Sequence, residues 1–187
     1  GNEGAYPGTC ARLSEEQVES RLAEGRRPAT RLRAGNRELS VADLVVGEIR
    51  GRVDDFVLRR ADGVAAYNLA VVVDDADQGV DQVVRGDDLA FTTPRQLLLQ
   101  ELLGLAQPAY AHVPLVLGAD GERLSKRHGA VTLAALAAEG IRPATVRGWI
   151  AESLGLASRG EEPSMSDLLD RFDPGRVRWS TWTFEPH

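Results

Sequence analysis

The spacing of apolar residues changes twice along this chain, and each change predicts a change of element. Near the start, Val18 and Leu22 stand four apart behind Ser14-Glu15-Glu16-Gln17, a pattern that predicts an amphipathic helix opened by a capping box and stopped at Gly25. Arg26 to Arg37, with Pro28 and Gly35, reads as a solvated connector or the start of an extended segment. From Asp43 the spacing shortens to strand-like runs: Leu44-Val45-Val46, Ile49 to Val53, and Asp55 to Arg60. Ala61-Asp62-Gly63 is a tight-turn signal, so residues 55–73 read as a hairpin whose second arm is Tyr67-Asn68-Leu69-Ala70-Val71-Val72-Val73. An apolar arm this continuous suits a strand buried on both faces of an α/β sheet. It runs into Asp74-Asp75, which reads equally as a ligand-facing pair at a strand end and as a cap on Ala76 to Gly79. Val80 to Val84 forms a further short strand, ending at Arg85-Gly86-Asp87-Asp88.

Thr92-Thr93-Pro94 predicts a helix start, Gln96 to Leu103 its apolar face, and Gly104 its stop. His112 then precedes a strand over Val113 to Leu117, and it reads more readily as structural than as facing a nucleotide. Pro114 marks a sheet edge or a gap in the ladder. Beyond residue 130 the spacing becomes helical over Val131 to Glu139, Pro143 to Leu154, and Ser166 to Phe172, with Ser164 or Ser166 as cap and Ser158 to Pro163 as a linker-like break. Trp179 and Trp182 in the tail read as docked against these helices in preference to stacking on bases. The pattern predicts an α/β region followed by a small helical one.

Composition narrows the function. With 43% apolar residues in 187, the chain has enough material for a buried core. A net charge of −6 argues against indiscriminate polyanion binding, so contact with nucleic acid would need a local basic surface. One cysteine excludes an internal disulfide framework, and no membrane-length apolar run or secretory signal pattern appears, so the expected location is the cytoplasm and no membrane partner is expected. The local basic surface is Arg123-Leu124-Ser125-Lys126-Arg127-His128-Gly129, delivered by an Asp120-Gly121 turn. Lys126 is the only lysine, and its compact ammonium acts on a phosphate as a point charge where arginine offers a planar fork. Taken alone, the stretch reads as a phosphate-binding loop or as a solvated basic loop. Tyr6 and Cys10 stand four apart, close enough for two ligands on one turn. A structural zinc site needs four ligands, so the residues alone favour a buried or unpaired Cys10.

Taken in order, Asp55 to Arg60, Tyr67 to Asp75, Gln78-Gly79-Val80, Val84 to Leu89, Thr93-Pro94-Arg95-Gln96 and Arg123 to Gly129 closely resemble the catalytic domain of bacterial glutamyl-tRNA synthetases. The basic stretch resembles the class I signature loop written KMSKS, with Arg123 in place of its first lysine. The short sequence beyond this loop and Tyr6-Pro7-Gly8-Thr9-Cys10 resemble one branch in particular, the glutamyl-queuosine tRNA(Asp) synthetases. That likeness implies an α/β fold: a partial, Rossmann-like class I catalytic domain followed by a small helical domain. Residues 1–42 would hold a zinc-motif remnant and connector, 43–130 the second half of the catalytic domain, and 131–187 a helical stem-contact-like region without an anticodon-binding domain. The half bearing the HIGH signature is not among these residues, so the chain alone is expected to be inactive.

The resemblance further implies the chemistry. L-glutamate would be activated by ATP with Mg2+, and the glutamyl group passed to queuosine at the wobble position of tRNA(Asp). Lys126 would be the catalytic cation, within an ATP-binding loop of Arg123, Leu124, Ser125, Lys126 and Arg127. Tyr67 and Arg85 would bind glutamate, and Tyr6 and Cys10 would ligate one Zn2+ whose other two ligands are absent from this chain. A monomer is expected. The alternatives are a fragment of a standard glutamyl-tRNA synthetase charging tRNA(Glu), and a non-catalytic remnant that binds ATP or tRNA.

Overall fold

The computed structural model describes residues 6–124 and 132–184. The chain divides into two compact units, Gly1–His112 and Val113–His187.

In the first unit, a short 3-10 turn at Cys10–Arg12 leads into helix α1, Glu15–Ala23. The capping box forms as the sequence predicts: the Ser14 hydroxyl accepts from the Gln17 N–H, and the Gln17 side chain accepts from the Ser14 N–H. Strand β1, Thr30–Leu32, pairs antiparallel with β4, Phe56–Arg59. Between them, β2, Glu38–Asp43, and β3, Gly47–Arg52, form an antiparallel hairpin. Its inward residues alternate with its outward ones: Val41 sits opposite Ile49 on the buried face, and Ser40 opposite Arg50 on the wet one.

Leu44-Val45-Val46 is therefore the hairpin loop and not a strand. The Asp43 carboxylate accepts the N–H groups of Val45 and Val46, and Gly47 closes the turn at a φ of 84°. Arg59 bridges antiparallel to Ala65 across the Asp62-Gly63 turn, but the hairpin ends there.

Residues 67–73 are helical and not a strand, lying in α2, Tyr67–Asp77. A short apolar run fits either state, and here packing decides. Val72 is buried and Val71 packs beside it, against Leu98 and Leu99, while Tyr67, Asp74 and Asp77 face outward. Asp74 and Asp75 accordingly sit in the last helical turn, at no strand end, and their backbone carbonyls accept from Gln78 and Val80. Strand β5, Gln82–Gly86, begins two residues later than its apolar run suggests. It is followed by a 3-10 segment and α3, Thr93–Leu103, which has proline in its first turn and ends at Gly104 in the left-handed region. Strand β6, Ala109–Val113, completes a four-stranded sheet of order β3-β2-β6-β5, in which β2 and β6 run parallel. The strand read from Val113 to Leu117 is thus broken at Pro114, where no N–H is available for a ladder.

Helix α3 is buried nearly all round up to Gln100, with its last turn exposed, and serves two apolar clusters. Leu98 and Leu99 join Ala34, Val53, Phe56 and Val72, while Leu97 joins Val41, Ile49 and Tyr110.

In the second unit, strand β7, Val116–Leu117, pairs parallel with β8, Trp182–Thr183. The Asp120-Gly121 turn forms as predicted: Gly121 has a φ of 77°, and Arg123 returns antiparallel to Leu117. Helices α4, Leu133–Ala138, α5, Pro143–Ser153, and α6, Met165–Arg171, follow, with Thr132 and Ser164 capping the first and last. Trp149 and Trp182 both meet Phe184 edge-on, at 5.5 and 5.7 Å between ring centroids, and the Trp179 indole donates to the Pro174 carbonyl. The tail tryptophans are docked.

Gly148 on α5 lies so close to the 161–162 backbone that an added methyl would collide with the Glu161 carbonyl oxygen. Gly148→Ala is expected to destabilise this unit by about 1–3 kcal/mol, the usual cost of overpacking a tight site. All three tryptophans are in this unit, so urea denaturation followed by tryptophan fluorescence reads it directly, and an unchanged midpoint would refute the close approach.

Candidate functional site

Strand β2 carries Leu39, Val41 and Asp43 on one parity, and that parity is the inward one. Alternation thus drives a carboxylate into the interior, where it must find donors. It finds four. Besides the Val45 and Val46 amides, both Asp43 oxygens accept the His112 backbone N–H at 3.1 Å, and Oδ2 lies 2.7 Å from His112 Nδ1. Both side chains are wholly shielded from solvent. Burial pushes the Asp43 carboxyl up, but the hydrogen bonds from Val46, His112 and Val45 outweigh it, and its net position is below the ordinary carboxylate value.

On the other side of the ring, Arg85 Nε donates to His112 Nε2 at 2.9 Å. An acceptor at Nε2 requires the neutral imidazole with its proton on Nδ1, facing Asp43. Arg85 Nη2 donates to the Thr93 hydroxyl at 2.9 Å, and that hydroxyl lies 3.3 Å from the same His112 nitrogen. The Arg85 guanidinium also stands 5.4 Å from the Tyr110 ring centre, while His112 stacks on that ring at 6.0 Å.

Tyr110 marks the centre of the cluster. Burial raises its phenol above the ordinary value. The Gln100 hydrogen bond and the charge of Arg85 pull it back, while Asp75 and Tyr67 push it further up. Of the two residues read as glutamate-binding, Arg85 lies against the Tyr110 ring, while Tyr67 lines a separate cleft. Tyr67 stands in the first turn of α2, exposed, and lines a cleft of about 300 Å³ with Asn68, Arg31 and Arg95. Arg85 lies in β5, one residue before its end and partly buried.

The remaining predicted residues lie elsewhere. Arg123 and Leu124 occupy the arm that returns along β7, with Arg123 exposed. Ser125, Lys126 and Arg127 fall outside the described residues. The Tyr6 hydroxyl accepts from the Cys10 N–H at 2.7 Å, Arg31 lies over the Tyr6 ring, and Cys10 is exposed. Among the described residues no group of three His, Cys, Asp or Glu is arranged to hold a metal. Tyr6 and Cys10 supply two donors where a tetrahedral zinc site needs four, so these residues alone do not fit the ion.

Asp43, Thr93 and Tyr110 were not singled out as site residues from the sequence. The signal was present for Asp43: an acid on the apolar parity of an alternating strand. Thr92-Thr93-Pro94 reads from the sequence as a helix start, but the N-cap Thr92 makes no side-chain capping bond, and the Thr93 hydroxyl accepts from Arg85.

A family model describing tRNA synthetases class I (E and Q), catalytic domain, matches residues 2–174. A protein of Nocardia farcinica named Glutamyl-Q tRNA(Asp) synthetase is 56% identical over 179 residues, which are 96% of this chain and 56% of that protein. Glutamate–tRNA ligase 1 of Halorhodospira halophila is 42% identical over 190 residues, covering 100% of this chain and 40% of that one. Among solved structures, a glutamate tRNA ligase from Elizabethkingia meningosepticum in complex with its amino acid superposes with a TM-score of 0.72 at 26% identity, over 92% of this chain and 39% of that one. The chain spans about half the length of the curated relatives it matches.

Proposed function

Because this chain belongs to the class I tRNA synthetase (E and Q) catalytic-domain family, we propose that it works within a longer enzyme that activates L-glutamate with ATP and attaches it to queuosine in tRNA(Asp). A glutamate carboxylate oxygen attacks the α-phosphorus of ATP, forming glutamyl adenylate and releasing pyrophosphate. A nucleophile on the queuosine base then attacks the acyl carbon, and AMP leaves. Residues 43–130 supply the second half of the catalytic domain, and 131–187 the helical region that follows.

The observation that carries this reading is the Arg85 site. Among the described residues a partly buried guanidinium is held by the neutral groups His112 and Thr93, so its charge is available to a carboxylate of glutamate, and the exposed Tyr67 phenol is assigned to hydrogen-bond the amino acid. Polar groups fixed in this way discriminate strongly against a ligand that cannot satisfy them. Arg123 to Arg127 form the ATP loop, in which Lys126 stabilises charge developing on the phosphates, with Mg2+ as the usual companion of ATP. A complete Zn2+ site would draw its other two ligands from outside this chain, beside Tyr6 and Cys10. Relatives named for tRNA(Asp) glutamylation reach 56 and 49% identity against 47 and 42% for two glutamate–tRNA ligases, which supports queuosine as the acceptor.

The test is ATP-dependent attachment of labelled glutamate by the full-length enzyme, offered tRNA(Glu) and queuosine-containing tRNA(Asp) in parallel. Label on tRNA(Asp) alone is expected. Label on tRNA(Glu) would return the enzyme to ordinary aminoacylation, and label on neither would leave a non-catalytic ATP- or tRNA-binding protein.

A further inference from the structure

A guanidinium has five N–H donors and two edges that can each receive a carboxylate as a fork. At Arg85 one edge is already occupied, Nε by His112 and Nη2 by Thr93. The Nη1/Nη2 edge is directed away from both acceptors. None of the ion pairs among the described residues involves Arg85. Its partners are an imidazole nitrogen, a hydroxyl and the face of a phenol, all without charge.

We propose that Asp43, His112 and Thr93 form a positioning clamp that aims the free edge of Arg85 at the substrate carboxylate without neutralising it. The proposal rests on the reading of Arg85 as the glutamate-binding cation.

A structural arginine is ordinarily buried against a carboxylate, which holds it and cancels its charge together. Here the two tasks are separated. The nearest carboxylate in the chain of contacts, Asp43, stands one imidazole away. It grips His112 through both the backbone N–H and Nδ1, and is itself fixed by the 43–46 turn. The ring cannot rotate to expose a donor to Arg85, because Nδ1 is committed to Asp43 and the ring plane is stacked on Tyr110. His112 must therefore present Nε2 as an acceptor. Thr93, fully buried at the start of α3, supplies the second acceptor at the spacing that matches Nε and Nη2. A side chain with many rotamers is reduced to one orientation, and the entropy of ordering it is spent on folding and not on substrate binding.

The test uses the full-length enzyme in ATP–pyrophosphate exchange, reading KM for glutamate and for ATP separately. Thr93→Val keeps the shape and removes the acceptor. It is expected to raise the glutamate KM about tenfold, the scale of one charge-assisted hydrogen bond, with the ATP KM and the melting temperature close to wild type. Thr93→Ser should recover the wild-type value. In an Arg85→Ala background Thr93→Val should have no further effect, since the group it positions is gone. His112→Gln, which retains an acceptor near Nε2 but loses the grip of Asp43, gives a second measurement with the same non-additivity expected if Thr93→Val fails to fold.

Effects of Arg85→Ala and Thr93→Val that multiply, or a glutamate KM raised by Arg85→Ala but untouched by both clamp variants, would overturn the clamp and leave the role of Arg85 intact. A glutamate KM unchanged by Arg85→Ala would overturn the role of Arg85 itself.

Discussion

Asp43→Ala is expected to lower the unfolding free energy of the first unit by about 3–5 kcal/mol, since it strands two fully buried donors at a cost of about 1–3 kcal/mol each and removes the closure of the 43–46 turn. The two buried donors are the His112 backbone N–H and Nδ1–H; the Val45 and Val46 amides sit nearer the surface, where water offsets part of their loss. Denaturation followed by far-ultraviolet circular dichroism measures it, and a loss below about 1 kcal/mol would mean that water reaches His112. The same carboxylate sets a pH dependence. Its folded pKa is depressed, so the stability it contributes is fully present above the unfolded carboxylate value of about 3.9 and is lost as pH falls through the lower folded value. The denaturation midpoint should accordingly drop on acidification below about pH 4, and Asp43→Asn should flatten that part of the curve.

Lys126→Ala in the full-length enzyme is expected to slow ATP–pyrophosphate exchange by about 10²–10³-fold while changing the glutamate KM little, as befits a group that stabilises transition-state charge. Lys126 is the only lysine of the chain, in a stretch of sequence otherwise supplied with arginine. Arginine is a poor substitute for a compact charge on a flexible stem, so Lys126→Arg should recover only part of the rate. Exchange unchanged by Lys126→Ala would remove this lysine from the chemistry. The two predictions separate cleanly, because the Asp43 variant is read in folding and the Lys126 variant in the rate of exchange.

Local chemistry was legible in the sequence wherever a few adjacent residues decide the outcome. The Ser14 capping box, the Gly104 stop and the Asp120-Gly121 turn all appear as read, and the helix start at Thr92-Thr93-Pro94 forms with proline in its first turn but without a hydroxyl cap. Residues 67–73 were misread because three consecutive valines satisfy a buried strand as well as they satisfy a helix, and the deciding partners, Leu98 and Leu99, lie some thirty residues away. Of the candidate site, Tyr67 and Arg85 are legible as candidates through family likeness, but the groups that hold Arg85 are not, since Asp43 and His112 are 69 residues apart and meet only once β2 and β6 pair at Asp43 and Tyr110. His112 reads from the sequence as structural, and its complete burial agrees with that, yet its ring also accepts a hydrogen bond from Arg85.

Helix α3 offers one consequence for how the first unit comes apart. Because Leu97 belongs to one apolar cluster and Leu98 and Leu99 to the other, neither cluster can be hydrated while the helix remains seated on its neighbour. The two clusters are therefore expected to melt together, with the amides in the buried part of α3 exchanging at the rate of the unit as a whole and those of its exposed last turn faster. A partly open intermediate that unseats α3, and with it Thr93, while sparing the rest of the unit is thereby disfavoured.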